Sequence, residues 1–226
     1  MQLFLITSSL NPIASNVKYN VPRSVFTMEE RFIQTVHTIT SIRDKVPNSY
    51  CILLETTNVP ENYRKTIEET VDKYIDFSTS QFAKTFTESK EKGMGELFTL
   101  EKGLLHILSN NITFERLYKI SGRYYLNDKF DLKSISSNKC TFVKFENKSD
   151  SNIKDYWYGT MLYSIDWNHR WEYLEALNNS LIAMIINGVV DIEHGMYSCI
   201  PPTSVEIIKT IGCQGQMSVN GQYAYH

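Results

Sequence analysis

The sequence lacks most of the features that would place it at once. Its formal net charge is −2 and its pI about 6.2, so no overall positive field exists to hold a polyanion, and nucleic acid is not an expected partner. No apolar run approaches the roughly 20 residues that a membrane-spanning helix needs. The opening Met1-Gln2-Leu3-Phe4-Leu5-Ile6 is apolar, but it has no basic flank and stops at Thr7-Ser8-Ser9. It is too short for a signal segment and reads as a first strand. The four cysteines (Cys51, Cys140, Cys199, Cys213) show neither C-x-x-C nor histidine-paired spacing, which argues against a structural zinc and for a reducing compartment. Glycine is missing altogether from the polar stretch Ser8 to Arg23, so no glycine-rich phosphate loop follows the first strand. With 42% hydrophobic and 21% charged residues the chain is too apolar for disorder. The expectation is a single cytoplasmic domain over residues 1–226 without a membrane span.

What is present alternates between two periods. Leu3 to Ile6 and Cys51-Ile52-Leu53-Leu54 are continuous apolar runs, as in strands buried on both faces. Between them Thr27 and Glu30 form a capping box, and Phe32, Val36, Ile39 and Ile42 make a helical stripe. Asn58 with Pro60-Glu61 opens a second helix, and Tyr74 to Phe77 reads as a further short strand. A polar loop, Ser89 to Glu96, is expected to lead into a helix with Leu97, Leu100 or Glu101, Leu104, Leu105 and Leu108 on its buried face. Leu117 to Ile120, Thr141 to Phe145 and Gly159 to Ile165 are expected strands. A long helix from about Asn168 to Asn187 has Trp171, Leu174, Leu177, Leu181 and Ile185 as its stripe, and Asn220-Gly221 signals a hairpin. Alternating β and α over the first 120 or so residues predict a mainly parallel sheet flanked by helices, with later strands antiparallel or at an edge.

In such sheets the ligand site lies beyond the carboxyl ends of the strands. Three polar strand ends qualify: Thr7-Ser8-Ser9, Glu55-Thr56-Thr57 and Ser121-Gly122-Arg123. Small hydroxyl residues after the first strand let a ligand approach the backbone, and Glu55 at the rim can accept from a base or ribose, although strands also end in polar residues for no reason beyond ending. Lys92-Gly93-Met94-Gly95-Glu96 combines glycines, a lysine and a helix start, a set suited to phosphate, or to a plain solvated loop. Arg123 after Ser121-Gly122 is placed for a planar, bidentate phosphate contact, with Gly122 allowing close approach. Asp191-Ile192-Glu193-His194 offers an acceptor-activating base in Glu193, or simply the cap of the next helix.

These segments, taken in order, resemble GT-A-like glycosyltransferases of large algal viruses and bacterial surface-polysaccharide clusters. The resemblance is carried by Ile6-Thr7-Ser8-Ser9, by the helix holding Arg31 and Thr40-Ser41-Ile42-Arg43, and by Leu54-Glu55-Thr56. The Lys92–Glu96 and Lys119–Leu126 segments, Ile192-Glu193-His194 and Gly212-x-x-Gly215 complete it. It implies a Rossmann-related GT-A-like fold and a nucleoside diphosphate-sugar donor, UDP-type by expectation, whose sugar passes to a glycan hydroxyl. Thr7, Ser8 and Glu55 would address the nucleoside; Arg31, Lys92 (with Gly93) and Arg123 (with Ser121 and Gly122) the diphosphate. Glu193 would be the base of an inverting displacement, with residues to about 126 binding the nucleotide and about 127–226 the acceptor. The family coordinates Mn²⁺ or Mg²⁺ through Asp-x-Asp, a motif this sequence does not contain. Either other oxygens (Asp128, Asp191, Glu193) hold a metal, or Arg123 and Lys92 replace it. A non-catalytic binding domain and a sugar nucleotidylyltransferase are the alternatives on the same sheet.

Overall fold

The computed structural model describes residues 1–13, 22–135, 138–147, 155–186 and 191–226; the side chain of Lys92 is outside that description. Four strands lie parallel in the order β3-β2-β1-β4: β1 (Gln2–Ser8), β2 (Tyr50–Glu55), β3 (Lys73–Asp76) and β4 (Arg116–Ser121). Beyond β4 the sheet continues with β8 (Leu162–Asp166), β6 (Cys140–Glu146) and β7 (Tyr156–Tyr158), while β9 (Val205–Ile208) pairs with β6. β8 is antiparallel to both β4 and β6, and β9 is parallel to β6, so β6 and β9 run in the direction of β1–β4 and the sheet is mainly parallel. A small second sheet joins β5 (Tyr124–Leu126) to the hairpin β10 (Cys213–Gln216) and β11 (Tyr223–Tyr225).

The apolar runs are continuous because each strand serves two cores. Leu3 and Leu5 face one side with Ile52 and Leu54; Phe4 and Ile6 face the other with Cys51 and Leu53. The first side is covered by α4 (Lys92–Ser109), α5 (Arg170–Ile186) and α6 (Ile192–Cys199), the second by α1 (Met28–Lys45) together with residues of β5 and β10. The short helices α2 (Glu61–Glu68) and α3 (Gln81–Thr87) fill the crossovers beside β3. The Thr27–Glu30 capping box starts α1 in both of its bonds.

Several expectations need correction. Lys92 to Glu96 is no loop but the first turns of α4, and Gly93 and Gly95 are there for packing. A Cβ on Gly93 would lie 2.9 Å from the Ile192 nitrogen, and one on Gly95 2.8 Å from the Thr87 Cα. The buried face of α5 is Tyr173, Ala176, Leu177, Ser180 and Met184, whereas Trp171 and Ile185 are exposed. The cause is the close approach of α6, where Gly195 meets Ser180 and small residues win the interface. Asn187, the expected end of that helix, lies outside the described residues, as does part of the Ser8–Arg23 segment. Strand β7 and helix α3 are too short to leave a period in the sequence.

Candidate active site

Parallel register brings three carboxyl ends level. Ser8 of β1 stands opposite Glu55 of β2, and Thr7 opposite Ser121 of β4. Over this rim opens a cavity of about 660 Å³, lined by hydroxyl and amide side chains from Thr7, Ser8, Asn11, Thr57 and Ser78 and by the cations Arg23, Arg31, Lys84 and Arg123. Its acids are Glu88 and Glu96. A volume of this size accommodates a compact, drug-sized ligand, and four cations against two acids favour an anionic one.

Each guanidinium is positioned by backbone. Arg31, buried on the inner face of α1, donates from Nε to the Ser9 carbonyl at 2.5 Å and from Nη1 to Ser24 Oγ at 3.1 Å. Burial, then the neighbouring Arg123 charge, pulls its proton affinity down to about 9, with Glu55 working the other way. Arg123 donates from Nη1 to the Gln216 carbonyl at 3.0 Å. The turn that presents it depends on Gly122, whose N–H donates to the Thr7 carbonyl at 2.9 Å and whose carbonyl accepts from Thr35 Oγ1 at 3.0 Å. A Cβ at Gly122 would come within 3.0 Å of that same oxygen, so the close approach of β1, β4 and α1 needs the bare backbone.

Thr7, Ser8, Arg31, Ser121, Gly122 and Arg123 thus share one cavity wall. Glu55 does not. It is 0% exposed, and its carboxylate accepts from the backbone N–H groups of Leu10, Thr56 and Thr57 and from the Thr57 hydroxyl. Its acceptor capacity is spent on folding the loops that form the rim, which corrects the expectation that it reaches a nucleoside. Gly93 is packed against α6, and the Lys92 side chain lies outside the described residues.

Sequence reading missed the polar network beneath the cavity. Lys119 of β4 is fully buried and forms an ion pair with Glu96 of α4, whose Oε1 also accepts from Thr7 Oγ1 (3.1 Å) and Ser121 Oγ (3.4 Å). The Lys119 ammonium donates in turn to Ser121 Oγ at 2.8 Å and to the Thr160 carbonyl. Burial opposes charge on Glu96, but Lys119, with help from Arg123 and Thr7, outweighs it and holds the carboxyl below its ordinary range. On the other side Thr160 Oγ1 donates to Glu193 Oε1 at 2.7 Å. Burial and the Asp191 charge push Glu193 up to about 7, with Thr160 in opposition. Glu193 is not on the cavity wall; it stands one threonine beyond the buried lysine. A lysine inside a fully buried strand was the available signal, since an unpaired ammonium is not tolerated there.

Of the suggested metal ligands, Asp191 and Glu193 share the start of α6, but Asp128 does not join them. Asp128 is exposed and paired with Lys45 at 2.6 Å, in a separate cleft with His37 and Tyr125. Asp191 caps α6 and accepts from His194, whose other ring nitrogen lies 3.2 Å from Asp155. Among the described residues no group of three or more His, Cys, Asp or Glu side chains is arranged to hold an ion. Mn²⁺ and Mg²⁺ prefer oxygen donors, several of them, and of the cavity's two acids Glu96 is already bound to lysine while Glu88 faces the Arg23 charge. The residues present do not fit the metal that the resemblance implies. Nor, among the described residues, is any helix long and apolar enough to cross a membrane.

No protein-family model matches the chain, and no curated protein matches it. Solved structures do. The galactosyltransferase LgtC, solved with donor and acceptor sugar analogues, aligns with a TM-score of 0.53 at 10% identity, covering 91% of this chain and 72% of LgtC. The bifunctional glycosyltransferase WbbM aligns at 0.54 and 10% identity, over 91% of this chain and 38% of WbbM. A nucleoside-diphosphate-sugar pyrophosphorylase from Vibrio cholerae RC9 aligns at 0.53 and 10% identity, over 92% of this chain and 93% of its own. The chain has a GT-A-like α/β fold, the architecture of those transferases.

Proposed function

We propose that the protein is a glycosyltransferase that moves a sugar from a nucleoside diphosphate-sugar, tested first as the UDP form, to a glycan hydroxyl with inversion. The observation that carries the reading is the cationic, hydroxyl-lined cavity at the carboxyl ends of β1, β2 and β4. Thr7 and Ser8 sit where the nucleoside would enter, and Arg31 and Arg123 where the diphosphate would lie. In the transfer, the acceptor oxygen bonds to the anomeric carbon as its proton passes to the Glu193 carboxylate. The bond from that carbon to the diphosphate oxygen breaks, and its electron pair leaves with the diphosphate. Fixed cations beside the departing group stabilise the transition state more than the ground state, because the negative charge grows there. A carboxyl titrating at about 7 is suited to a general base at neutral pH. The division of labour follows: residues to about 126 hold the donor, and about 127–226 the acceptor and Glu193.

The pyrophosphorylase neighbour favours a second reading, nucleotidyl transfer, at the level of fold. The absence of glycine from Ser8 to Arg23 opposes it, since that chemistry wants a glycine-rich basic loop there. A panel of nucleotides and nucleotide sugars, read by thermal shift and by product formation on oligosaccharide acceptors, tests the proposal. A donor at 100 times its dissociation constant adds about 2.7 kcal/mol of stability, a rise of roughly 5–10 °C for a domain of this size. Stabilisation by a nucleoside diphosphate with sugar transfer supports glycosyl transfer. Nucleoside triphosphate consumption with pyrophosphate release supports the second reading, and binding without turnover a domain that has lost its chemistry.

A further inference from the structure

The mismatch between the fold's usual metal and this cavity's side chains points to a different way of handling donor charge. Resting on the donor reading above, we infer that Arg31 and Arg123 bind the diphosphate directly and neutralise it as it departs, so that no divalent cation is required.

Two independent features lead there. The first is the donor set. Of the cavity's acids, Glu96 is committed to Lys119, Thr7 and Ser121, and lies in the field of Arg123. Glu88 sits in the field of Arg23. A divalent ion placed at Glu96 would face the Lys119 ammonium and the Arg123 guanidinium with one carboxylate to offset them, and like charges at that range repel strongly. Asp128 and Asp191 are occupied elsewhere, by Lys45 and by His194.

The second feature is the cation set. Arg31 and Arg123 line the same cavity, and proton binding at Arg31 is weakened first by burial and then by the Arg123 charge. Two like charges held in one cavity by fixed anchors, the Ser9 carbonyl and Ser24 hydroxyl for one and the Gln216 carbonyl for the other, repel each other. An anion between them relieves that repulsion. Those anchors use two donors of Arg31 and one of Arg123, whereas a guanidinium carries five in a planar fork that matches phosphate oxygens. Ser121-Gly122-Arg123 closes β4 at the cavity rim, so the positive charge is built into the backbone turn. During transfer the diphosphate gains one negative charge as the glycosidic bond breaks, and the paired guanidiniums receive it without any change in coordination.

The test is calorimetric titration of the full chain with UDP, GDP, ADP, CDP and dTDP, first in excess EDTA and then with MnCl₂ or MgCl₂. The expected result is binding of at least one diphosphate in EDTA, with affinity altered less than about threefold by either metal, a difference under 1 kcal/mol. Arg123→Gln should weaken that binding about tenfold or more, with Arg123→Lys intermediate and Asp128→Asn unchanged. Unliganded melting temperatures confirm that each variant folds. Binding that appears only with Mn²⁺ or Mg²⁺, or an Arg123→Gln protein that folds and binds as tightly as the parent, overturns the inference and leaves the donor reading standing. Failure of every diphosphate to bind, with or without metal, removes the donor reading and this inference with it.

Discussion

The parallel half of the sheet and the half beyond β4 are built on different terms. In β1, β2 and β4 nearly every residue is buried, neighbours pair in register over most of their length, and the ends align into a rim. Beyond β4 every strand but β6 is shorter, and partners lie far apart in sequence: β6 joins β9, and β5 joins β10. The first half, with its loops and helices, supplies nearly all of the cavity lining; the second adds Ser218 and the Gln216 carbonyl that anchors Arg123, with the Lys119–Thr160–Glu193 links crossing from one to the other.

The sharpest way to break that division is at its seam. Lys119→Met leaves Glu96 partly buried without its ammonium and should cost about 3–5 kcal/mol in urea unfolding. The double variant Lys119→Met, Glu96→Gln should recover most of that loss; an additive double variant would show that the pair is not coupled. Next in size is a contrast between the halves. Leu5→Ala, at a fully buried β1 position, should cost about 2–5 kcal/mol, and Ile207→Ala, 47% exposed on β9, within about 0.5 kcal/mol of nothing. Equal losses would mean that both halves carry the same share of the core.

The smallest effect concerns Glu193 and depends on pH. Its folded-state proton affinity is raised to about 7, so the neutral carboxyl favours the fold at low pH, and that contribution is lost as pH rises through about 7. Glu193→Gln should therefore melt with the parent at pH 4 and above it at pH 8, by a few degrees for about 1–2 kcal/mol. Parent activity should fall as pH drops below about 7, and the variant should lose turnover with donor affinity kept. A variant less stable at pH 8, or a parent profile flat through pH 7, would contradict the assignment.

How much of this was legible beforehand follows the same boundary. The strands of the parallel half were plain because burial on both faces leaves uninterrupted apolar runs, and the α1 start because a capping box is local. The polar strand ends were found by rule, and Arg31, Ser121 and Arg123 do meet across one cavity. Glu55 misled because a carboxylate at a strand end looks the same whether it faces ligand or folds back on its own loops. Gly93 and Gly95 misled because a glycine needed for helix contact is indistinguishable, in sequence, from one needed by phosphate. Glu96 and Lys119 went unread because their meaning lies in pairing residues 23 positions apart across two elements. Short strands such as β7 and β11 carry too few residues for any period.

The two guanidiniums are tethered to carbonyls far apart in sequence, Ser9 for Arg31 and Gln216 for Arg123. During synthesis the parallel strands can therefore pack while the binding cleft still lacks one of its anchors, which must wait for the β10 segment to emerge and dock on β5. Competence to hold a ligand should accordingly arrive after the parallel strands have packed, once β10 has docked on β5.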